Sequence, residues 1–400
     1  MLAFPPTKFN RNIFLFYLLS ALYNAWFVEA IWYFYWARFA SYTTIALMFV
    51  ILTIVWVSAE IPTGVFADRF GRKLSVTIGF LSLTIGSFAV ALASSSIALF
   101  IGGFAENIGR AFISGSLESL VYDDLKTQHR EEEFAHTMSV KSQIETAVYA
   151  VAVPIGGFLY ARYFRLPNML MVVSLGFAFI TSFFLKEIRS TKPIATGVSI
   201  RELAAGFHEL KTEKLRPYVP LIFLFVSLSF LFNWGLSKPA IAVHFGYGPR
   251  GQSILYAIMS IGAIMAVRQI PRIRRFVSYF GGLVLFSLIV IAGYLCGALP
   301  IGAIGALPLI FMELTTTVAE PWISTMVNHA IPSAYRATTL STIQFVAKIP
   351  FIAITIFLGS SLDRGQATIF HGSLAIVSII LLAITIWYAK INQPKLSTNN

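Results

Sequence analysis

The stretch GVFADRFGRK, residues 64–73, places two glycines, one acid and three bases between two long apolar runs. The first run ends near Ile61 and the second begins at Leu74. Glycine permits a close backbone approach and a positive φ, and the acid and bases can form charge-assisted hydrogen bonds with the ends of neighbouring helices. The stretch is too short to form a domain, so we expect a tight polar connection between two helices.

The chain around this connection is too apolar to be mainly water-soluble. Of its 400 residues, 57% are hydrophobic and 12% are charged, whereas soluble domains carry about 25% charged residues. Apolar runs that are long enough to cross about 30 Å of hydrocarbon as α-helix recur from end to end. The sequence therefore predicts an all-α membrane protein with twelve transmembrane spans, at residues 12–36, 42–63, 74–94, 97–120, 138–161, 167–186, 218–240, 252–270, 277–298, 301–324, 337–360 and 367–389.

The basic residues indicate how these spans are oriented. With the N-terminus inside, most of the 30 Lys and Arg residues fall on inner loops, as the positive-inside rule describes for cytoplasmic loops. Both termini are therefore predicted to lie in the cytoplasm, and the protein to be a multi-pass protein of the cell membrane. The net charge of +12 suits an anionic inner leaflet of the lipid bilayer and requires no nucleic-acid partner.

A polar connection at residues 188–217 divides the chain into two parts with six spans each, residues 1–187 and 218–400. Within the connection, residues 199–216 have apolar side chains at helical spacing with charges between them, which predicts an amphipathic helix on the inner membrane surface. A six-plus-six layout with a cytoplasmic connection is typical of a transporter whose halves rock around a central cavity.

The opening stretch resembles the signature G-x-x-x-D-R-x-G-R-[RK] of the major facilitator superfamily, which that family carries between its second and third helices. The resemblance extends over essentially the whole chain. It implies a conformational latch in which Asp68 caps the eleventh span in the outward-facing state and a motif arginine pairs with Asp123 or Asp124 at the inner end of span four. The matching motif residues are Gly64, Asp68, Arg69, Gly71, Arg72 and Lys73.

Span five partly resembles the antiporter signature of the same family. The stretch VAVPIGGFL, residues 151–159, supplies Pro154, Gly156 and Gly157, but its proline-to-glycine spacing is one residue short. A proline kink with small residues for close helix packing is an equal alternative. With this partial match, the chain is most similar to the twelve-helix drug/proton antiporters.

Several charges lie at membrane depth, where they are costly and mark candidate functional sites. Counting 1.5 Å per residue from the predicted span ends places Arg110 at nearly the same depth as Glu145, with Glu106 one turn away. The same counting places Glu313 near Lys348. Each half is therefore predicted to hold one ionic cluster, and structural pairing and a role in transport remain alternatives for both clusters.

Glu29, in the outer third of span one, is the preferred proton carrier. Burial of a carboxyl group in an apolar setting favours its neutral form, although a carboxyl group near the interface can also simply be hydrated. Asn24 and Trp26 lie deeper in the same span. By the family resemblance, this span lines the central cavity, so these side chains are expected to form a wall for amphipathic organic compounds.

The predicted function is proton-coupled export of small amphipathic organic compounds by a monomer. An uptake symporter or uniporter of the same fold is the main alternative, and a non-transporting membrane receptor or scaffold is an alternative from another class. The sequence contains no phosphate-binding loop or nucleophile motif, so an enzyme is not expected. No cofactor or metal is expected either, since the single cysteine, Cys296, lies in an apolar run.

Overall fold

The computed structural model describes residues 10–188, 207–332 and 335–392, with residue 337 described by its backbone alone. All regular secondary structure in these residues is helical, which confirms the predicted all-α class. The α-helices in chain order are α1 (Arg11–Tyr23), α2 (Trp32–Trp36), α3 (Tyr42–Phe70), α4 (Arg72–Ala91), α5 (Ser96–Ile113), α6 (Ser116–Thr127), α7 (Phe134–Arg162), α8 (Leu166–Ser182), α9 (Val219–Trp234), α10 (Ser237–His244), α11 (Pro249–Val267), α12 (Ile270–Phe276), α13 (Tyr279–Cys296), α14 (Ala306–Ala330), α15 (Arg336–Asp363) and α16 (Ala367–Asn392).

The described residues contain nine helices that are long and apolar enough to cross a membrane. A tenth candidate is the pair α9 and α10, which is bent by 66°. Two shorter apolar helices, α1 and α8, accompany them. The number of twelve spans therefore remains a prediction. The predicted amphipathic helix at 199–216 lies partly outside the described residues, and at its described end Leu210 and Leu215 are buried.

The first predicted span is not one continuous helix. Turns at residues 24–31 separate α1 from α2. Asn24 closes α1, because its side-chain Nδ2 donates a hydrogen bond to the carbonyl oxygen of Ser20 over 3.0 Å. On the far side of the break, the hydroxyl of Tyr35 donates to the carbonyl oxygens of Val90 and Ala91 over 2.7 and 3.1 Å. Asn24 thus adds a side-chain donor at the last turn of α1, and Tyr35 ties α2 to the C-terminal end of α4.

The seventh predicted span, residues 218–240, is also interrupted. Helix α9 ends at Trp234 and α10 begins at Ser237, with Gly235 in an extended conformation between them. A Cβ atom on Gly235 would lie 2.7 Å from the carbonyl oxygen of Leu231, so the turn leaves no room for a larger residue. The bend places Lys238, which is buried, in the first turn of α10.

The helices pack into two compact units. The first comprises residues 1–40, 48–197 and 249–257, and the second comprises residues 41–47, 198–248 and 258–400. In the first unit, α4 and α5 approach so closely that a Cβ atom on Gly86 would lie 2.6 Å from the carbonyl oxygen of Gly102. Small residues of this kind allow membrane helices to pack backbone against backbone.

The second unit is held together by aromatic residues with a polar end. Trp322 of α14 is buried and donates from Nε1 to the carbonyl oxygen of Tyr279 over 3.0 Å. Tyr294 of α13 is buried too, and its hydroxyl donates to the carbonyl oxygen of Leu228 in α9 over 2.9 Å. These side chains bury a large apolar surface and still satisfy their own donors.

Helix α7 lies directly against the break in the first span. A Cβ atom on Gly156 would overlap the carbonyl oxygen of Phe27, which belongs to the break. The backbone carbonyl of Phe27 can therefore approach α7 only because residue 156 is glycine.

We expect Gly156→Ala to destabilise the protein by about 1–3 kcal/mol or more, because a methyl group there collides with backbone rather than with a side chain that can move. The measurement is thermal unfolding of the purified protein in detergent. The matched control is Gly176→Ala in α8, since a Cβ atom at Gly176 meets only Thr84, at 3.9 Å. Equal melting temperatures for the two variants would contradict the close approach of Phe27 to α7.

Candidate functional site

The GVFADRFGRK stretch forms a tighter connection than the sequence predicts. Helix α3 continues to Phe70, so Gly64, Asp68 and Arg69 belong to its last turns, and Gly71 alone joins α3 to α4. The prediction of a longer connection was wrong because this stretch can continue the helix with its polar side chains outward. Asp68 and Arg69 are exposed, whereas Gly64 is buried. The role of Asp68 as a cap of the eleventh predicted span remains a prediction.

Arg72 lies at the centre of this connection. It is 5% exposed, its guanidinium forms an ion pair with Asp123 of α6, and it donates to the carbonyl oxygen of Ser119 over 2.6 Å. Asp124, the other acid that the family resemblance left open, accepts a hydrogen bond from Gln128 over 3.0 Å. A buried arginine with both a carboxylate and a carbonyl acceptor is strongly fixed in position.

Sequence analysis missed one residue of this connection, Glu187. Its carboxylate accepts hydrogen bonds from the backbone N–H groups of Arg72 and Lys73 over 3.1 and 2.8 Å. Glu187 follows α8 and is 115 residues from Arg72 in sequence, so no local spacing relates the two. The available indication was Gly71 itself, because a helix that starts after glycine has no side-chain acceptor at its own N-cap.

A second cluster of polar side chains surrounds the break in the first span. Glu145 of α7 accepts a hydrogen bond from the side chain of Asn24 over 2.9 Å, and its Oε1 lies 3.0 Å from Nζ of Lys141. The same Nζ lies 3.2 Å from a carboxylate oxygen of Glu118 in α6. A single ammonium group therefore serves two carboxylates, and one of these also binds the end of α1.

Arg110 of α5 lies on the aromatic side of the same break. Its guanidinium carbon is 4.7 Å from the ring centroid of Trp26, and its NH1 group donates to the hydroxyl of Tyr23 over 3.5 Å. Glu106, one turn away, interacts electrostatically with Arg110 and accepts a hydrogen bond from the hydroxyl of Ser87 over 2.9 Å.

The predicted pairing of Arg110 with Glu145 was therefore wrong. The ion-pair partner of Glu145 is Lys141, one turn before it on the same helix. Depth counting places charges along the membrane normal but does not say which face of a helix they occupy. It also overlooked the i, i+4 neighbour within α7, which needs no contact between helices.

The second unit holds its own ion pair. Nζ of Lys238 in α10 lies 2.9 Å from a carboxylate oxygen of Glu313 in α14, and both side chains are largely buried, at 9% and 19% exposure. The predicted partner of Glu313 was Lys348 of α15, whose Nζ lies over the ring of Phe230, 5.5 Å from its centroid. The partner was missed because a continuous seventh span gives no reason to turn Lys238 toward α14.

The remaining predicted residues lie within the break in the first span and in α7. Glu29 is half-buried within it, and its backbone N–H donates to the carbonyl oxygen of Trp26 over 3.2 Å. Pro154 lies inside α7. A Cβ atom on Gly157 would overlap the hydroxyl of Ser253 in α11.

Among the described residues, no group of three or more His, Cys, Asp or Glu side chains is arranged to hold a metal ion.

Known proteins share this fold. The family model described as the Major Facilitator Superfamily matches residues 13–355. The solved structure of the nucleoside transporter NupG is similar, with a TM-score of 0.74 and 17% identity over 95% of this chain and 98% of that chain. A peptide transporter, POT, in complex with sulfate is similar with a TM-score of 0.72 and 14% identity over 98% and 96%. No curated protein matches the sequence. At these identities the structural likeness shows the fold alone.

We expect Lys238→Met to destabilise the protein by about 3–5 kcal/mol, because it leaves the carboxylate of Glu313 buried without its cation. The double replacement Lys238→Met with Glu313→Leu is expected to recover the melting temperature, since it removes both charges. The measurement is thermal unfolding in detergent. If the double variant melts at as low a temperature as the single variant, then lost packing around Lys238, and not the broken charge pair, causes the destabilisation.

Proposed function

Because this chain belongs to the Major Facilitator Superfamily and is a multi-pass membrane transporter, we propose that it exports small amphipathic organic compounds in exchange for protons by alternating access. The proposal includes twelve spans, both termini in the cytoplasm, and a monomer in the cell membrane. The latch formed by Arg72 and Asp123, with Asp68 nearby, acts on the conformational cycle rather than on the substrate.

The observation that carries the proton coupling is the position of Glu145. Its carboxylate binds Asn24 at the end of α1 and shares the ammonium group of Lys141 with Glu118. When Glu145 takes up a proton, it loses its charge attraction to Lys141, and Lys141 keeps Glu118 as its partner. Protonation thereby alters the contact that fixes the break in the first span. Such a link between a proton and the structure of a helix break is what the proposed coupling requires.

The aromatic side of the break supports an organic substrate. Tyr23, Trp26 and Phe27 are half-buried, and the guanidinium of Arg110 lies against the ring of Trp26. Flat apolar faces with a few polar groups suit compounds that have both an aromatic and a polar part. In this proposal Glu106 keeps Arg110 oriented, and Glu313 with Lys238 and Lys348 forms the polar part of the second unit.

Two features bear on the direction of transport. The partial match of Pro154, Gly156 and Gly157 to the antiporter signature favours an antiporter, although the two glycines also let α7 pack closely against the break and against α11. The alternative is an uptake symporter or uniporter, and it is favoured by the similarity of the fold to a nucleoside transporter and a peptide transporter.

We expect Glu145→Gln to abolish proton-driven accumulation of substrate while sparing downhill exchange, because the amide cannot release a proton. The assay uses proteoliposomes with an imposed pH gradient and a panel of fluorescent amphipathic dyes. Glu29→Gln and Glu313→Gln are measured beside it, with Glu132→Gln, an exposed acid, as the control. If Glu145→Gln accumulates dye normally and Glu29→Gln does not, then Glu29 is the carrier, as the sequence predicts.

The same vesicles distinguish export from uptake. For an antiporter, protons moving down their gradient drive dye in the opposite direction. For a symporter, dye moves in the direction of the protons. A uniporter shows dye flux that does not respond to the gradient. We expect opposite movement of dye and protons, and movement in the same direction would replace the antiport proposal with the symport alternative.

A further inference from the structure

The first turn of α4 depends on an acceptor from a distant part of the chain. The N–H groups at the start of a helix have no partner within the helix, and Gly71 offers no side chain to accept from them. Both carboxylate oxygens of Glu187 fill this role, one for the N–H of Arg72 and one for the N–H of Lys73. The negative charge also lies at the positive end of the helix dipole.

Gly71 makes this capping possible. Its φ of +106° is a conformation that side chains with a Cβ atom rarely adopt. A Cβ atom on residue 71 would also lie 2.7 Å from Oε2 and 2.9 Å from Cδ of Glu187. Glycine at this position therefore both permits the sharp turn and leaves the space that the carboxylate occupies.

The backbone that carries Glu187 is itself fixed. The preceding residue, Lys186, donates its N–H to Oδ1 of Asn12 over 2.9 Å, and Asn12 returns a hydrogen bond from Nδ2 to the carbonyl oxygen of Lys186 over 3.1 Å. Asn12 is 2% exposed and belongs to the first turn of α1. Glu187 thus reaches α4 from a rigid support.

We propose that Glu187 is a positioning residue for the latch. It fixes the backbone of Arg72, and this directs the guanidinium toward Asp123 and the carbonyl oxygen of Ser119. Arg72 is then held at both ends, by Glu187 at its N–H and by α6 at its side chain. The functional part of this inference rests on the proposed role of the Arg72–Asp123 pair in the transport cycle, and the positioning itself does not.

A double-mutant cycle tests the positioning without any substrate. In the wild-type background, Asp123→Asn is expected to lower the melting temperature by on the order of 5 °C, because it weakens a buried charge pair. In a Glu187→Gln background, the same change is expected to lower it by less than half as much, because Arg72 no longer points firmly at residue 123. Additive losses would overturn the proposal.

Hydrogen exchange provides an independent measurement on the full-length protein. Amide exchange in a peptide that contains Arg72 and Lys73 is expected to become about tenfold faster in Glu187→Gln, while Glu132→Gln, which removes the same charge from the exposed surface, leaves it unchanged. Glu187→Asp keeps the charge and is expected to restore part of the protection, so the test does not depend on a single variant. Unchanged exchange in Glu187→Gln would overturn the capping role.

Transport separates this inference from the proposed function. Suppose that Asp123→Asn leaves the rate of dye transport unchanged while the double-mutant cycle shows coupling between Asp123 and Glu187. The latch proposal then fails, and the positioning role of Glu187 stands. If Asp123→Asn slows the rate at saturating dye and Glu187→Gln does not, the positioning inference fails. We expect both variants to lower the maximal rate with little change in KM.

Discussion

The constraint on which this structure depends is that backbone polar groups inside a bilayer must find partners within the protein. A continuous helix meets it without help, but this chain interrupts its first and seventh predicted spans, at residues 24–31 and after Trp234. At the first interruption, backbone turns pair many of these groups, and the side chain of Asn24 donates a further hydrogen bond to the end of α1. At the second interruption, Gly235 fits the turn. The breaks bring polar residues and closely packed glycines to the same places, so the candidate site follows from the constraint.

A related requirement, that the free N–H groups at the start of a helix find acceptors, explains the connection between α3 and α4. Two long helices joined by one residue leave exposed N–H groups at the start of the second helix, with no space for a local cap. The carboxylate of Glu187 satisfies them, and the side chain of Arg72 then reaches α6. The hydrogen bonds of this connection are therefore not all provided by the stretch itself, because the carboxylate that caps α4 belongs to Glu187, which follows α8.

The sequence was sufficient to predict the all-α class and the approximate positions of the apolar segments, since both predictions depend on the length of apolar runs. It was not sufficient for helix breaks, because an asparagine or a glycine inside an apolar run is compatible with a straight helix as well. The sequence also did not show which charged residues form ion pairs between helices. Counting residues along the helices placed Glu145 and Arg110 at similar depths in the membrane, but it did not show which face of α5 or α7 each residue occupies. The ion-pair partner of Glu145 is Lys141 of α7. The contact of Glu187 with α4 could not be predicted for the same reason, since no residue near Glu187 in the sequence indicates that its carboxylate binds the start of α4.

The two units use ionic groups differently. In the second unit, Lys238 and Glu313 form a largely buried ion pair, and removal of either charge breaks it. In the first unit, one ammonium group lies between the carboxylates of Glu118 and Glu145, whose side chains are 32% and 24% exposed. Neutralising one of those two carboxylates leaves Lys141 paired with the other, so the first unit keeps an ion pair that the second unit would lose.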